Sequence, residues 1–134
     1  MPLPSLFQSI RKSPSAFFPR PTFSQAVAYI NGYDAACCGG LLNGFREWLI
    51  VRVDYGDNLP WNALVLYLTF PKTVDIGKCL NEPDAESTAI DSLFHLLDGF
   101  YADRDRFGGW RQIYMNYDTW LRRQDWYDPN STVR

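Results

Sequence analysis

Gly39-Gly40-Leu41-Leu42-Asn43-Gly44-Phe45-Arg46-Glu47-Trp48-Leu49 and the residues that follow as far as Pro71 read as two apolar helices joined by a tight polar turn, Asp54-Tyr55-Gly56-Asp57-Asn58. Leu41, Leu42, Phe45, Trp48, Leu49 and Val53 recur at the 3.6-residue period, which predicts an amphipathic helix over about 40–53. After the turn, Asp57 or Asn58 can cap and Pro60 suits a first helical turn, so a second helix is expected over about 60–70. Trp61, Leu64, Val65 and Leu68 form one stripe, and Leu66, Tyr67 and Phe70 line the rest. A helix apolar nearly all round belongs at the centre of a fold. A short strand over 63–70 is the alternative, and it would make the protein α+β rather than all-α.

Outward from this stretch the pattern stays helical. Thr22-Phe23-Ser24-Gln25 fits a capping box, and Phe23, Val27 and Ile30 share a face of a helix over about 23–31 that Gly32 would stop. Gly39-Gly40 reads as a turn. Residues 71–83 read as a loop with a short extended piece at 73–76. Ile90, Leu93, Phe94, Leu97 and Tyr101 define a helix over about 84–104. Trp110, Ile113, Tyr114, Tyr117, Trp120 and Leu121 define a last one over about 109–124, with Arg122 and Arg123 at the negative end of its dipole. The expectation is one all-α domain of about five helices over 22–127, with 40–53 and 60–70 central.

The flanks look different. Residues 1–21 hold Pro2, Pro4, Pro14, Pro19 and Pro21, three basic residues and no acid. They predict a loosely attached arm with at most two helical turns, its end pinned by Phe17 and Phe18. The arm has the composition of a transit peptide, but its prolines break the amphipathic helix such a peptide needs. Residues 128–134 read as a frayed tail.

Composition narrows the function classes. In 134 residues there are five Trp, eight Tyr and nine Phe, rings that build a core or anchor a partner. A net charge of −2 argues against nucleic acid and suits a basic protein partner. No apolar run reaches the roughly 20 residues of a membrane span, and no signal peptide is evident. Cys37, Cys38 and Cys79 have no framework spacing, which points to a reducing, cytoplasmic setting. There is no C-x-x-C, and a lone His95 does not make a zinc site, so no metal or other cofactor is expected. Cys37 or Cys38 with His95 has no flanking signature of a catalytic dyad. No catalytic residue is assigned, and the chain is not expected to be an enzyme.

The sharpest pattern is electrostatic. Asp84, Asp91, Asp98 and Asp105 stand seven apart. Two helical turns nearly restore the same azimuth, so they form a stripe about 30 Å long. Asp103 and Glu86 add to it. Over 75–105 eight acids oppose Lys78 and Arg104, a balance of −6, which leaves +4 on the rest of the chain. The stripe is either a solvated helix face or a docking surface for a cationic partner. Asp54 and Asp57 are the secondary candidates. Carboxylates about 10 Å apart along a helix do not share one cation.

Two segments carry a resemblance. The first runs Ala28-Tyr29-Ile30-x-Gly32-Tyr33-Asp34, Leu41-Leu42-x-Gly44-Phe45-Arg46-Glu47-Trp48-Leu49 and Asn58-Leu59-x-Trp61-x-x-Leu64-Val65. The second is Tyr117-x-x-Trp120-Leu121-x-x-Gln124-x-Trp126-Tyr127. Over about half the chain they resemble small acidic bacterial immunity proteins encoded beside polymorphic or contact-dependent toxins. Tyr55-Gly56-Asp57-Asn58-Leu59 also looks like the Tyr-Gly-x-Asn-Leu stretch of the barstar inhibitors, but Pro60-Trp61 departs from that pattern and no fold or binding residue is carried over. The resemblance implies a non-enzymatic inhibitor of a toxin; the charge pattern makes that toxin basic, a nuclease being the fitting class, and places the contact on Asp84, Asp91, Asp98, Asp103 and Asp105 with Asp54 and Asp57. The rivals are an enzyme or small-ligand protein with an aromatic pocket near Arg46, Glu47, Tyr55 and His95, and a subunit of a stable complex. Oligomeric state is left open.

Overall fold

The 63–70 run folds as helix, and the physical reason is visible in its burial. Leu64 and Val65, neighbours in sequence, are both fully buried. A strand covered on both faces would bury the pair too, but it would need a neighbouring strand for its N–H and C=O groups, whereas a helix wedged between others satisfies them internally. The computed structural model describes residues 5–17 and 21–130, and among them there is no strand. Six α-helices follow in order: α1 (Ser5–Lys12), α2 (Phe23–Ala36), α3 (Phe45–Val53), α4 (Trp61–Thr69), α5 (Ala85–Arg104) and α6 (Gly109–Arg122). Short 3-10 turns occupy Pro14–Ala16 and Ile76–Asn81. The all-α single domain is as expected, with α1 added to the five helices. No helix among the described residues is long and apolar enough to cross a membrane.

The centre of the fold is α5, not the α3–α4 pair. At 20 residues it is the longest helix, and it touches each of the other five. Ala89, Ile90, Leu93, Phe94, Leu97 and Phe100 give it a broad buried face. α4 is more uniformly apolar, but with nine residues it packs mainly on α3, α5 and the 76–81 turn, meeting α2 through the Trp61 indole, which donates to Asn31 at 3.1 Å. Length, rather than hydrophobicity, decides which helix becomes the hub.

The loose arm is also corrected. Phe7 and Ile10 of α1 are fully buried. The Phe7 ring meets Tyr33 edge-on at 5.2 Å and Phe94 at 5.8 Å. Burying one such ring stabilises the fold by about 1.5–3 kcal/mol, and the burial of Ile10 adds to it. Phe17, expected to pin the segment, is 38% exposed, and Phe18 lies outside the described residues. The expected tail is described only to Asn130, whose N–H bonds to Asp128.

Two boundaries shift for local reasons. α2 carries the expected cap, with Thr22 Oγ1 accepting from the Gln25 N–H at 3.2 Å. Glu86 at the start of α5 also accepts from the Phe23 N–H at 2.6 Å, where a negative charge suits the helix dipole. α2 then runs through Gly32 to Ala36. The next helix begins at Phe45 instead of about residue 40, because Asp34 Oδ1 accepts from the Leu41 and Leu42 N–H groups at 3.1 and 2.8 Å. That carboxylate holds residues 37–44 as a turn, with positive φ at Cys38, Gly39 and Gly44. Leu41 reaches the core from this turn, so its match to the helical period is a coincidence of spacing. Of the extended piece expected at 73–76, Asp75 is in the extended region, and a 3-10 turn takes over from Ile76.

Among the described residues, one charged side chain lies inside. Arg104 is 5% exposed, and its Nη1 donates to the carbonyls of Gly40 and Leu41 at 3.1 and 3.0 Å. Its guanidinium lies 4.1 Å from the Tyr101 ring centre and 4.9 Å from that of Trp110. The Tyr101 hydroxyl donates to the same Leu41 carbonyl. Together they fasten the 37–44 turn to the end of α5.

Candidate protein-binding surface

The stripe of aspartates exists along α5 and stays largely exposed, but folding pairs its middle members with arginine. Asp84 is the N-cap residue and Asp105 the C-cap residue, both exposed. Between them, Arg11 of α1 ties two stripe members together, with Nε 3.2 Å from Asp91 and Nη1 3.0 Å from Asp98. Asp103 accepts from the Trp48 indole at 2.8 Å and from Arg52 at 3.2 Å, with Arg106 at 3.7 Å. Burial lowers the Arg52 pKa and Asp103 opposes the shift. Arg11, Arg52 and Arg106 all come from outside 75–105, so the charge segregation seen along the chain is partly closed in space.

The 54–58 turn is different. Asp54 ends α3 in the left-handed region at φ 60°, a conformation that Asp tolerates, and its N–H bonds to the Ile50 carbonyl. Its Oδ1 accepts from the Trp120 indole N–H at 2.7 Å. Asp57 Oδ1 accepts from the Tyr117 hydroxyl. Neither Asp57 nor Asn58 caps α4, which has no side-chain cap. Arg46 holds the turn from behind, donating to the carbonyls of Leu59 at 2.8 Å and of Asp57. Gly56 is required here, because its φ is 93° and a Cβ would stand 2.7 Å from Leu64.

Between this turn and the end of α6 lies a cleft of about 440 Å3, walled by residues 54–58 with Trp120, Gln124 and Trp126. Tyr55 and Trp126 are 56% and 55% exposed at its edge, while Trp120 is buried and meets the Trp126 ring edge-on. The lining contains two carboxylates and no basic side chain. The turn itself is legible as Asp54-Tyr55-Gly56-Asp57-Asn58. Its aromatic wall is not, since Trp120 fits the core period of α6 and Trp126 lies beyond the helix end. The one signal for Trp126 is an aromatic residue past the last periodic position.

The aromatic donors hold their protons. Burial first, then the hydrogen bond and charge of Asp57, push the Tyr117 hydroxyl up to about 12, with Arg46 opposing. Burial pushes Tyr101 up to about 12 as well, against Arg104. A raised folded-state pKa means that the stabilisation is complete below the ordinary value of about 10 and is lost as pH rises through 12. In an ultraviolet titration, Tyr101 and Tyr117 should therefore ionise only as pH approaches about 12. The urea midpoint should hold up to about pH 9 and then fall between about pH 10 and 12. Ionisation of Tyr101 and Tyr117 near pH 10 in a still-folded protein would contradict these environments.

The remaining candidates are dispersed. Arg46 serves the turn backbone, and Glu47 lies near Tyr114, whose pKa burial and that charge raise. His95 is exposed on a shallow groove with Thr69 and Ser92, away from the cleft that Tyr55 lines. Cys37 and Cys38 are exposed thiols in the turn after α2, and Cys79 is buried with its pKa raised by burial. Among the described residues, no group of three or more His, Cys, Asp or Glu side chains is gathered as a metal site would need. No family model matches the chain, and neither a curated protein nor a solved structure shows significant similarity to it.

Proposed function

We propose that the protein is a non-enzymatic, immunity-type inhibitor that binds and neutralises a basic protein toxin in a reducing, cytoplasmic setting. A nuclease fits the partner's role, because an enzyme that holds phosphates is basic where it must be blocked. The observation that carries the reading is the cleft beside Asp54 and Asp57. Two carboxylates are held there by aromatic donors, two large rings stand exposed beside them, and no basic side chain lines the site. Fixed geometry lowers the ordering cost of binding, and exposed Trp and Tyr are the side chains that dominate interface energetics. Asp84 and Asp105 would contribute long-range attraction from the ends of α5. Asp91, Asp98 and Asp103 are weaker candidates than their spacing suggests, because Arg11, Arg52 and Arg106 already oppose them.

The test uses the product of the neighbouring open reading frame as partner. Surface-immobilised partner should lose at least about tenfold in affinity for Asp54→Asn and for Trp126→Ala, the size expected of hot-spot residues. Arg11→Ala removes a partly buried cation that bridges Asp91 and Asp98, so it should cost some stability but leave affinity within about twofold. Unchanged binding by both cleft variants would sink the proposed face. Faster association of Arg11→Ala would return the face to α5.

One observation favours a second reading, a small-ligand protein. A cavity of about 570 Å3, mostly apolar, lies between Phe70, Pro71, Cys79 and Ala85, with Lys72 and Lys78 among its lining residues. Its charged residues include Asp75 and Glu82 beside the lysines, so it has no net charge preference. That balance favours the cleft for a basic partner.

A further inference from the structure

We infer that the 54–58 cleft receives a single arginine side chain of its partner, and receives it in preference to lysine. The inference rests on the binding-protein reading of the same cleft and adds the chemistry of the group that enters.

The molecule contains the arrangement once already, complete. At the Trp48 site the indole N–H donates to Asp103 at 2.8 Å, and the Arg52 guanidinium bonds the same carboxylate at 3.2 Å. That guanidinium lies 3.4 Å over the Trp48 ring. The indole fixes the carboxylate, and the planar cation satisfies the carboxylate with its edge while its face covers the ring. At the cleft the first two partners recur, with the Trp120 indole donating to Asp54 at 2.7 Å. Trp120 is only 2% exposed, so a guanidinium would stack on the 55% exposed ring of Trp126, which meets Trp120 edge-on at 6.3 Å.

The remaining polar group points the same way. Gln124 donates its Nε2 hydrogen to the Trp120 carbonyl at 2.7 Å, which leaves its amide oxygen to accept. Asp54, by using one oxygen on the indole, keeps the other for an incoming donor. A guanidinium has five donors in a fixed plane and stacks on rings while weakly hydrated. An ammonium is a compact, strongly hydrated point charge that gains little from a flat aromatic wall. A cleft with carboxylate and amide acceptors beside an exposed indole therefore discriminates by shape as well as by charge.

The first arm of the experiment needs no toxin. Acetylated and amidated Gly-Arg-Gly and Gly-Lys-Gly are titrated into the 15N-labelled protein, and the five indole N–H resonances are followed. The arginine peptide should shift the Trp120 and Trp126 signals with a dissociation constant on the order of millimolar. The lysine peptide should bind at least about threefold more weakly. Asp54→Asn keeps an oxygen for the Trp120 indole and tolerates the positive φ, so the variant should fold, with the Trp48 signal unmoved. It should weaken the arginine peptide by about tenfold, and Trp126→Ala should do the same. Equal affinity for the two peptides, or arginine shifts that survive both variants, would overturn the assignment. If the arginine peptide fails while Asp54→Asn still impairs capture of the toxin, arginine recognition is wrong and the binding face stands. If the variants change neither, both fall.

Discussion

Gly109→Ala destabilises the fold by about 3 kcal/mol or more, beyond the usual cost of one added methyl. A Cβ at this position would lie 2.2 Å from the Asp103 carbonyl oxygen and 2.4 Å from that of Arg104. These are backbone atoms at the end of α5, and they cannot rotate aside as a flexible side chain would. α6 must instead withdraw from α5 at its first residue. Withdrawal pulls on the Trp110 indole, which donates to the Asn43 carbonyl at 2.9 Å, and on Ile113 in the core. The neighbour supplies the control. Gly108 has φ 69°, and a Cβ there would meet nothing within 4 Å, so Gly108→Ala carries only backbone strain, about 1–2 kcal/mol. Urea unfolding followed by tryptophan fluorescence separates the two. Equal costs at both positions would mean that α6 does not approach α5 this closely.

Arg104→Met costs about 2–4 kcal/mol. Methionine keeps most of the apolar stem and loses the donors. The Gly40 carbonyl then loses its Arg104 donor and the Leu41 carbonyl retains the Tyr101 hydroxyl. Leaving a buried acceptor short of a partner accounts for about 1–3 kcal/mol, and loss of the cation over the Tyr101 and Trp110 rings for about 0.5–2. Arg104→Lys should recover only part, since one ammonium cannot lie flat on the rings while it donates to the carbonyls. A Met variant within about 0.5 kcal/mol of the parent would show that the 37–44 turn does not depend on this contact.

Arg104 also shows where the sequence is readable and where it is not. The stripe of Ile90, Leu93, Phe94, Leu97 and Tyr101 marks α5 because helical periodicity is local, and the same holds for α4 and α6. The start of α3 escapes a reading by periodicity because the signal against it is a carboxylate, Asp34, that caps two amides seven and eight residues on. The packing of α1 escapes it too, because prolines mark where a helix cannot extend and say nothing about what a short helix buries. The azimuth of the aspartates follows from their spacing, but their partner Arg11 stands 80 residues before Asp91. At the cleft, Asp54 and Asp57 can be named from the turn, whereas Trp126 enters only through the way α6 returns beside it.

The docking of α1 on α5 also has a consequence in time. A ribosome adds about 5–20 residues per second, so roughly 4–17 s separate the synthesis of Phe7 from that of Phe94, the ring it packs against. The emerging chain carries an apolar α1 through that interval with its main counterpart not yet made. The docking of α1 is therefore completed only after α5 has cleared the ribosome.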